Sequence, residues 1–207
     1  MKIISHRGFW LEREEKNTLA AFNRSFDQSF GMETDVRDLN GALVISHDPP
    51  KGGEMLLSEF LELLAGRDLT LAINIKADGL AKGVVDAFKT CGLKNWFVFD
   101  MSVPDMRSYL AEGVPVYARL SEVEQTPSFA DAVQGIWLDG FDGVWYTPEV
   151  IEHYLAAGKD ICIVSSELHG RDPARQWEML KTLKNSERVT LCTDFPDRAR
   201  KYFGDVS

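Results

Sequence analysis

Near the start of the 207-residue chain, Ser5, His6, Arg7 and Gly8 gather side chains suited to proton transfer and anion recognition. His6 can exchange protons near neutral pH, Arg7 offers a planar fork for phosphate or carboxylate, and Gly8 lets a ligand approach the backbone. Glu33 and Asp35 are one residue apart, so on a β-strand both project from the same face. Two carboxylates held that close are costly unless a cation lies between them, and a hard ion such as Mg²⁺ or Ca²⁺ is the natural neutraliser. The alternative is a set of ion pairs with Arg7, Arg37 or Lys76. Asn74 and Lys76 repeat the spacing: Asn74 can offer a neutral oxygen to a metal, and Lys76 a point charge to a phosphate. A buried lysine needs a counter-charge, which an anionic ligand or the Glu33/Asp35 pair would supply.

Two further clusters follow. Asn40 and Gly41, a type I′ turn signal, predict a hairpin whose returning arm ends at His47 and Asp48, delivering a second histidine near His6 and the carboxylates. The segment Ser165–Arg171 contributes Glu167, His169 and Arg171, a cluster dense in donors and acids. The competing reading is a polar loop that caps the next helix through Asp172.

Eight short apolar runs must position these residues: Ile3–Ser5, Met32–Arg37, Leu69–Ile75, Trp96–Phe99, Val116–Arg119, Gly135–Leu138, Ile161–Ser165 and Val189–Cys192. Between them lie segments with helical periodicity, such as Thr18–Ser29, Leu80–Thr90, Val150–Ala157 and Gln176–Leu183. Thr147 before Pro148 and Asp172 before Pro173 have the form of an N-cap followed by proline at the first helical position. Gly92, Gly113, Gly135 and Gly158 recur every 21, 22 and 23 residues, as helix C-caps would in a repeated unit. The alternation predicts a compact α/β TIM (β/α)₈ barrel, residues 1–207 forming one domain, with catalytic groups at the C-terminal strand ends. A doubly wound open sheet is the runner-up, without a GxGxxG to support its dinucleotide-binding form. Eight units in 207 residues leave about 26 apiece, too few for large inserted lids.

Composition narrows the function classes. With 44% hydrophobic and 27% charged residues the chain is globular, and 23 Lys plus Arg against 32 Asp plus Glu give a net charge of −9. That sign disfavours nucleic acid or an anionic membrane as the main partner. No apolar run is long enough to span a bilayer and the opening residues lack a signal-peptide core, so we expect a cytoplasmic protein with no stable membrane insertion. Cys91, Cys162 and Cys192 are unpaired by spacing and read as reduced, buried side chains, which argues against a cysteine zinc site. Trp137, Phe141, Trp145 and Tyr146 read mostly as core.

The ordered set SHRG (Ser5–Gly8), NTLAAF (Asn17–Phe22), METD (Met32–Asp35), NG followed by SHD (Ser46–Asp48) and INIK (Ile73–Lys76) resembles the glycerophosphodiester phosphodiesterase family. TDFPDRA (Thr193–Ala199) is similar to its closing segment. The resemblance implies a barrel of the phospholipase C-like phosphodiesterase type that hydrolyses a small glycerophosphodiester to a phosphomonoester and an alcohol with a divalent cation. In it His6 and His47 would be the general acid and base, and Glu33 and Asp35 metal ligands. A neighbouring hydroxyl of the substrate would attack phosphorus first, and water would open the cyclic intermediate.

Three positions depart from the family pattern. Asn74 stands where a third carboxylate ligand is usual, Lys16 replaces the Glu of the ENT motif, and the Glu167–Arg171 cluster replaces an aromatic and an amide; we expect Glu167, His169 and Arg171 to wall the substrate, with Glu167 the leading candidate to replace the missing carboxylate. Two other functions therefore stay open: a barrel that binds a phosphorylated ligand without cleaving it, and a lyase that stops at a cyclic phosphate. A homo-oligomer is also left open.

Overall fold

The computed structural model describes residues 1–64 and 66–204. The backbone groups into two compact units, Met1–Ser5 together with the chain from Tyr117 onward, and His6–Val116.

The first strand, β1 (Lys2–His6), opens the chain. In the His6–Val116 unit, β2 (Gly31–Leu39), β4 (Leu71–Ile75) and β5 (Trp96–Phe99) lie parallel in the order β5-β4-β2, and β3 (Ala42–Ile45) returns antiparallel on β2. All five residues of β4 are buried, as expected of a parallel strand covered on both faces. The β2–β3 turn has positive φ at both Asn40 and Gly41, so the expected hairpin is present. Helices α1 (Leu19–Asp27), α2 (Leu57–Glu62), α3 (Ala81–Cys91) and α4 (Val103–Ala111) accompany these strands. Ala21, Phe22, Ser25 and Phe26 form the buried stripe of α1, and α3 ends at Gly92 in the left-handed conformation. Phe22 and Phe60 meet edge to face at 4.8 Å between centroids, which ties α1 to α2.

In the other unit β6 (Tyr117–Leu120), β7 (Gly135–Leu138), β8 (Asp160–Val164) and β9 (Val189–Thr193) are parallel, and β1 pairs with β9. Helices α5 (Pro148–Ala156), α6 (Ala174–Leu180) and α7 (Pro196–Phe203) pack on them, burying Ile136, Ile161, Ile163, Leu191 and Trp177. Each such side chain removed from water contributes about 1.5–3 kcal/mol.

Four local expectations are corrected. No helix lies between β6 and β7; residues 121–134 run as turns and coil. Gly135 is therefore not a helix cap but the first residue of β7, where a Cβ would come within 2.6 Å of the Tyr117 ring and 2.7 Å of the Asp160 carbonyl oxygen. Asp172 is not the N-cap of α6, because the helix begins after Pro173 and that residue takes the cap position, although Asp172 Oδ1 accepts from Ala174 N at 3.0 Å. Cys91 is exposed at the end of α3, whereas Cys162 and Cys192 are buried. Trp137 and Tyr146 are core residues, while Phe141 and Trp145 are half-buried. Among the described residues no helix is long and apolar enough to cross a membrane.

Candidate active site

Strand ends build the site of the His6–Val116 unit. His6 closes β1, after which Arg7 (φ 58°) and Gly8 (φ 90°) turn the chain sharply. The turn is pinned by Arg7 N donating to Glu33 O at 2.9 Å and by Asn17 N donating to Arg7 O at 2.9 Å. Gly8 has a different use from the one its sequence suggests. The space its missing Cβ would need is filled by Ala21, whose Cβ would be 2.7 Å away, so the residue admits α1 rather than a ligand. On β2, Glu33 and Asp35 are both buried, and β4 sets Asn74 beside Asp35 in register.

Asp35 is the hub. Its Oδ2 accepts from Asn17 Nδ2 at 2.9 Å, Arg7 Nε lies 2.9 Å from the same oxygen without hydrogen-bond alignment, and Lys76 Nζ lies 3.5 Å from Oδ1. Asn17 is fixed in turn by Thr34 Oγ1, which donates to its Oδ1 at 2.9 Å. Glu33 has weaker support: Asn74 donates to it, and His6 Nε2 stands 3.9 Å from its Oε2. Burial, reinforced by the Asp35 charge, pushes the Glu33 carboxyl up to about 8. Lys16, where the family pattern has Glu, sits 4.5 Å above the Trp10 ring.

The donor set fits a hard divalent cation. Glu33 Oε2, Asp35 Oδ1 and Asn74 Oδ1 are all buried and lack a hydrogen-bond partner, and an unsatisfied buried oxygen costs about 1–3 kcal/mol. Three such oxygens on adjoining strands are what an oxygen-liganded ion would relieve. Among the described residues no group of three His, Cys, Asp or Glu side chains is placed to hold an ion, and the third oxygen of this set comes from Asn74. Arg7 and Lys76 already offset the charge of Asp35.

His47 lies beyond β3 in the loop that returns from the hairpin. Ser46 N donates to Asp35 O at 3.0 Å, tying that loop to β2, and Arg37 Nε holds the His47 carbonyl at 3.0 Å. Its Nδ1 is 2.9 Å from Asp48 Oδ1, and the side chain is half-exposed. A carboxylate on Nδ1 leaves Nε2 as the reactive nitrogen of the neutral ring.

Glu167, His169 and Arg171 belong to the other unit, in the segment after β8. Glu167 accepts from Ser165 Oγ, Thr193 Oγ1 and Asp194 N, so both of its oxygens are engaged. Burial nevertheless raises its pKa. His169 Nε2 lies 2.7 Å from Asp139 Oδ1, and Arg171 donates to the carbonyls of Gly140 and Phe141. Asp139 and the supporting role of Asn17 escaped the sequence reading. Within WLDGFDG an aspartate beside glycine looks like turn chemistry, although Asp139 stands directly after β7, where a barrel strand presents functional groups.

No protein-family model matches the sequence, and neither does any curated protein. Solved structures do match. A glycerophosphodiester phosphodiesterase from Agrobacterium tumefaciens aligns with a TM-score of 0.73 at 21% identity over 98% of both chains. One from Thermotoga maritima gives 0.68 at 20% identity over 96% of both. The chain has the fold of the glycerophosphodiester phosphodiesterases. A phosphodiesterase from Oleispira antarctica, solved with its product sn-glycerol-3-phosphate, gives 0.65 at 15% identity over 98% of this chain and 96% of the other. The fold is thus the TIM (β/α)₈ barrel that the strand and helix rhythm predicts.

Proposed function

We propose that the chain is a member of the glycerophosphodiester phosphodiesterase family, a single barrel domain over residues 1–207 that hydrolyses a small glycerophosphodiester to a phosphomonoester and an alcohol. The observation that carries this reading is the set of three buried oxygens without a hydrogen bond on Glu33, Asp35 and Asn74, flanked by His6, Arg7 and Lys76. Likeness of fold to three phosphodiesterases, one holding a phosphomonoester product, supports it. The acidic charge and free cysteines favour a cytoplasmic location.

Glu33, Asp35 and Asn74 would hold Mg²⁺ or Ca²⁺. When bound, the ion would polarise a phosphoryl oxygen and offset the charge that grows on it. Arg7 and Lys76 supply fixed positive charge for the remaining phosphoryl oxygens. One of His6 and His47 removes the proton from the substrate's neighbouring hydroxyl as it attacks phosphorus, and the other protonates the leaving alkoxide, giving a cyclic phosphodiester and the free alcohol; with the roles reversed, water adds to phosphorus and the ring alkoxide is protonated as it leaves, giving the phosphomonoester. Asp48 holds His47 in one tautomer, while Asn17 fixes Asp35. Glu167 secures the segment that carries His169 and Arg171 to the end of β9.

Purified protein incubated with a panel of phosphodiesters and Mg²⁺, Ca²⁺ or Mn²⁺, with His6→Ala and His47→Ala as controls, tests the reading. We expect a phosphomonoester by phosphorus NMR in the wild type and loss of turnover in both variants. A cyclic phosphate as the final product would assign a lyase. Absence of turnover with every ion, combined with thermal stabilisation by a phospho-ligand, would assign a binding protein.

A further inference from the structure

Arg7 touches Asp35 without bonding to it. Its Nε lies 2.9 Å from Asp35 Oδ2, yet that buried N–H has no hydrogen-bond partner, so the two charges attract through a misaligned contact. An arginine this close to a carboxylate ordinarily closes a planar fork of two parallel N–H···O bonds. Here the hydrogen bond to Oδ2 belongs to Asn17, whose Nδ2 donates at 2.9 Å.

Asn17 is held there from both its ends. Its backbone stands at φ 59°, in the left-handed region that asparagine tolerates better than most residues, and its N donates to Arg7 O at 2.9 Å. Thr34, fully buried, donates through Oγ1 to Asn17 Oδ1 at 2.9 Å. An amide oxygen can only accept and its nitrogen only donate, so a donating Thr34 hydroxyl settles which way round the amide sits. A turned amide would set its oxygen against the Asp35 carboxylate.

We propose that Asn17 is a positioning residue for phosphate recognition: by occupying Asp35 Oδ2, its amide set by Thr34, it keeps the Arg7 guanidinium from closing a fork on Asp35 and leaves that fork for phosphoryl oxygens. Arg7, Asn17, Thr34 and Asp35 all belong to the His6–Val116 unit. Arg7 keeps the attraction of the Asp35 charge while its N–H groups stay available, and 20% of its side-chain surface is exposed to a ligand. Lys76, 3.5 Å from Oδ1, balances the same carboxylate at its other oxygen. This deepens the proposed function and rests on its assignment of Arg7 to the phosphoryl group.

Inorganic phosphate is the probe, read by ¹⁵N-resolved NMR of the arginine Nε–H signals in the full chain. In the wild type the Arg7 signal should shift as phosphate is added. In Asn17→Ala, Arg7 Nε–H should bond to Asp35 and exchange more slowly with water, and the phosphate Kd should rise at least about tenfold, the worth of a hydrogen bond to a charged group. Thr34→Val removes only the orienting hydroxyl and should move both readouts the same way by less, whereas Thr34→Ser should keep them at wild type; this pair decides the matter should Asn17→Ala fail to fold. In an Asp35→Asn background, Asn17→Ala should leave the phosphate Kd unaltered, because Arg7 then has no carboxylate to close on. An undiminished loss there would make Asn17 merely structural and overturn the inference. Wild-type Arg7 signals and phosphate Kd in Asn17→Ala and Thr34→Val overturn it too, as does a wild-type Arg7 signal that ignores phosphate. Phosphate binding with the expected changes, but no cleavage of any diester, overturns the phosphodiesterase reading alone and supports the role of Asn17.

Discussion

The strand ends of the two units treat buried polar groups in opposite ways. Around Glu33, Asp35 and Asn74, three oxygens are left without hydrogen bonds, and one carboxyl is pushed up to about 8. Around Glu167 and Asp139, the carboxylates are satisfied by Ser165, Thr193, Asp194, Gly140 and His169. Unmet hydrogen-bonding capacity is retained where a ligand supplies the missing partner, and satisfied networks are used to hold loop shape. On the proposed function, the first region is a reaction site that is costly without its ligand; the second holds loop shape.

Changes that remove the first region's reactive groups should have the largest effects. His6→Ala should lower kcat by about 10²–10⁴-fold, the usual contribution of a positioned proton-transfer group. Steady-state turnover checks this, and an unchanged kcat would place the chemistry elsewhere. Asp35→Ala removes the buried carboxylate that pairs with Arg7 and Lys76 and should cost about 3–5 kcal/mol, read by urea denaturation.

Glu33 gives the contrast a pH signature. Its folded pKa of about 8 lies above the ordinary 4.5, so the folded state binds this proton more tightly than the unfolded chain. The contribution is fully present below pH 4.5 and declines as pH rises to about 8, by an amount on the order of 4 kcal/mol. Glu33→Gln, neutral at every pH, should remove that decline in chelator-treated protein, making the variant more stable than wild type at pH 8. A variant with the wild-type pH slope would show that Glu33 is not the strained group.

In the second region the losses should be smaller. Glu167→Gln replaces one accepting oxygen with a donor against Ser165 or Thr193 and should cost about 1–3 kcal/mol. Cation affinity should be unaffected, whereas a parallel loss of cation binding would make Glu167 a ligand after all.

The two regions also differed in how far the sequence revealed them. Glu33/Asp35 and Asn74/Lys76 were legible because strand periodicity converts a one-residue gap into a shared face. The hairpin was legible because Asn-Gly suits two successive positive φ values. Asp139 was not, since its partner His169 is 30 residues away and only packing of β7 beside β8 unites them. Gly8 and Gly135 misled for a related reason: their small size serves contacts with Ala21, Tyr117 and Asp160, which local spacing does not encode. The β6–β7 connection broke the helix rhythm because periodicity describes an average unit, and residues 121–134 fold as turns held by Ser121 Oγ and Phe129 O.

The central claim is that the oxygens without a hydrogen bond on Glu33, Asp35 and Asn74 form a cation seat. Calorimetric titration of the wild type and of Asn74→Leu with Mg²⁺, Ca²⁺ and Mn²⁺ addresses it most directly. We expect one weak site per chain, with Kd about 10⁻⁴–10⁻³ M for the preferred ion, and its loss in Asn74→Leu while the variant still melts cooperatively. Identical isotherms for the two proteins, or no binding of any ion to the wild type, would contradict the account.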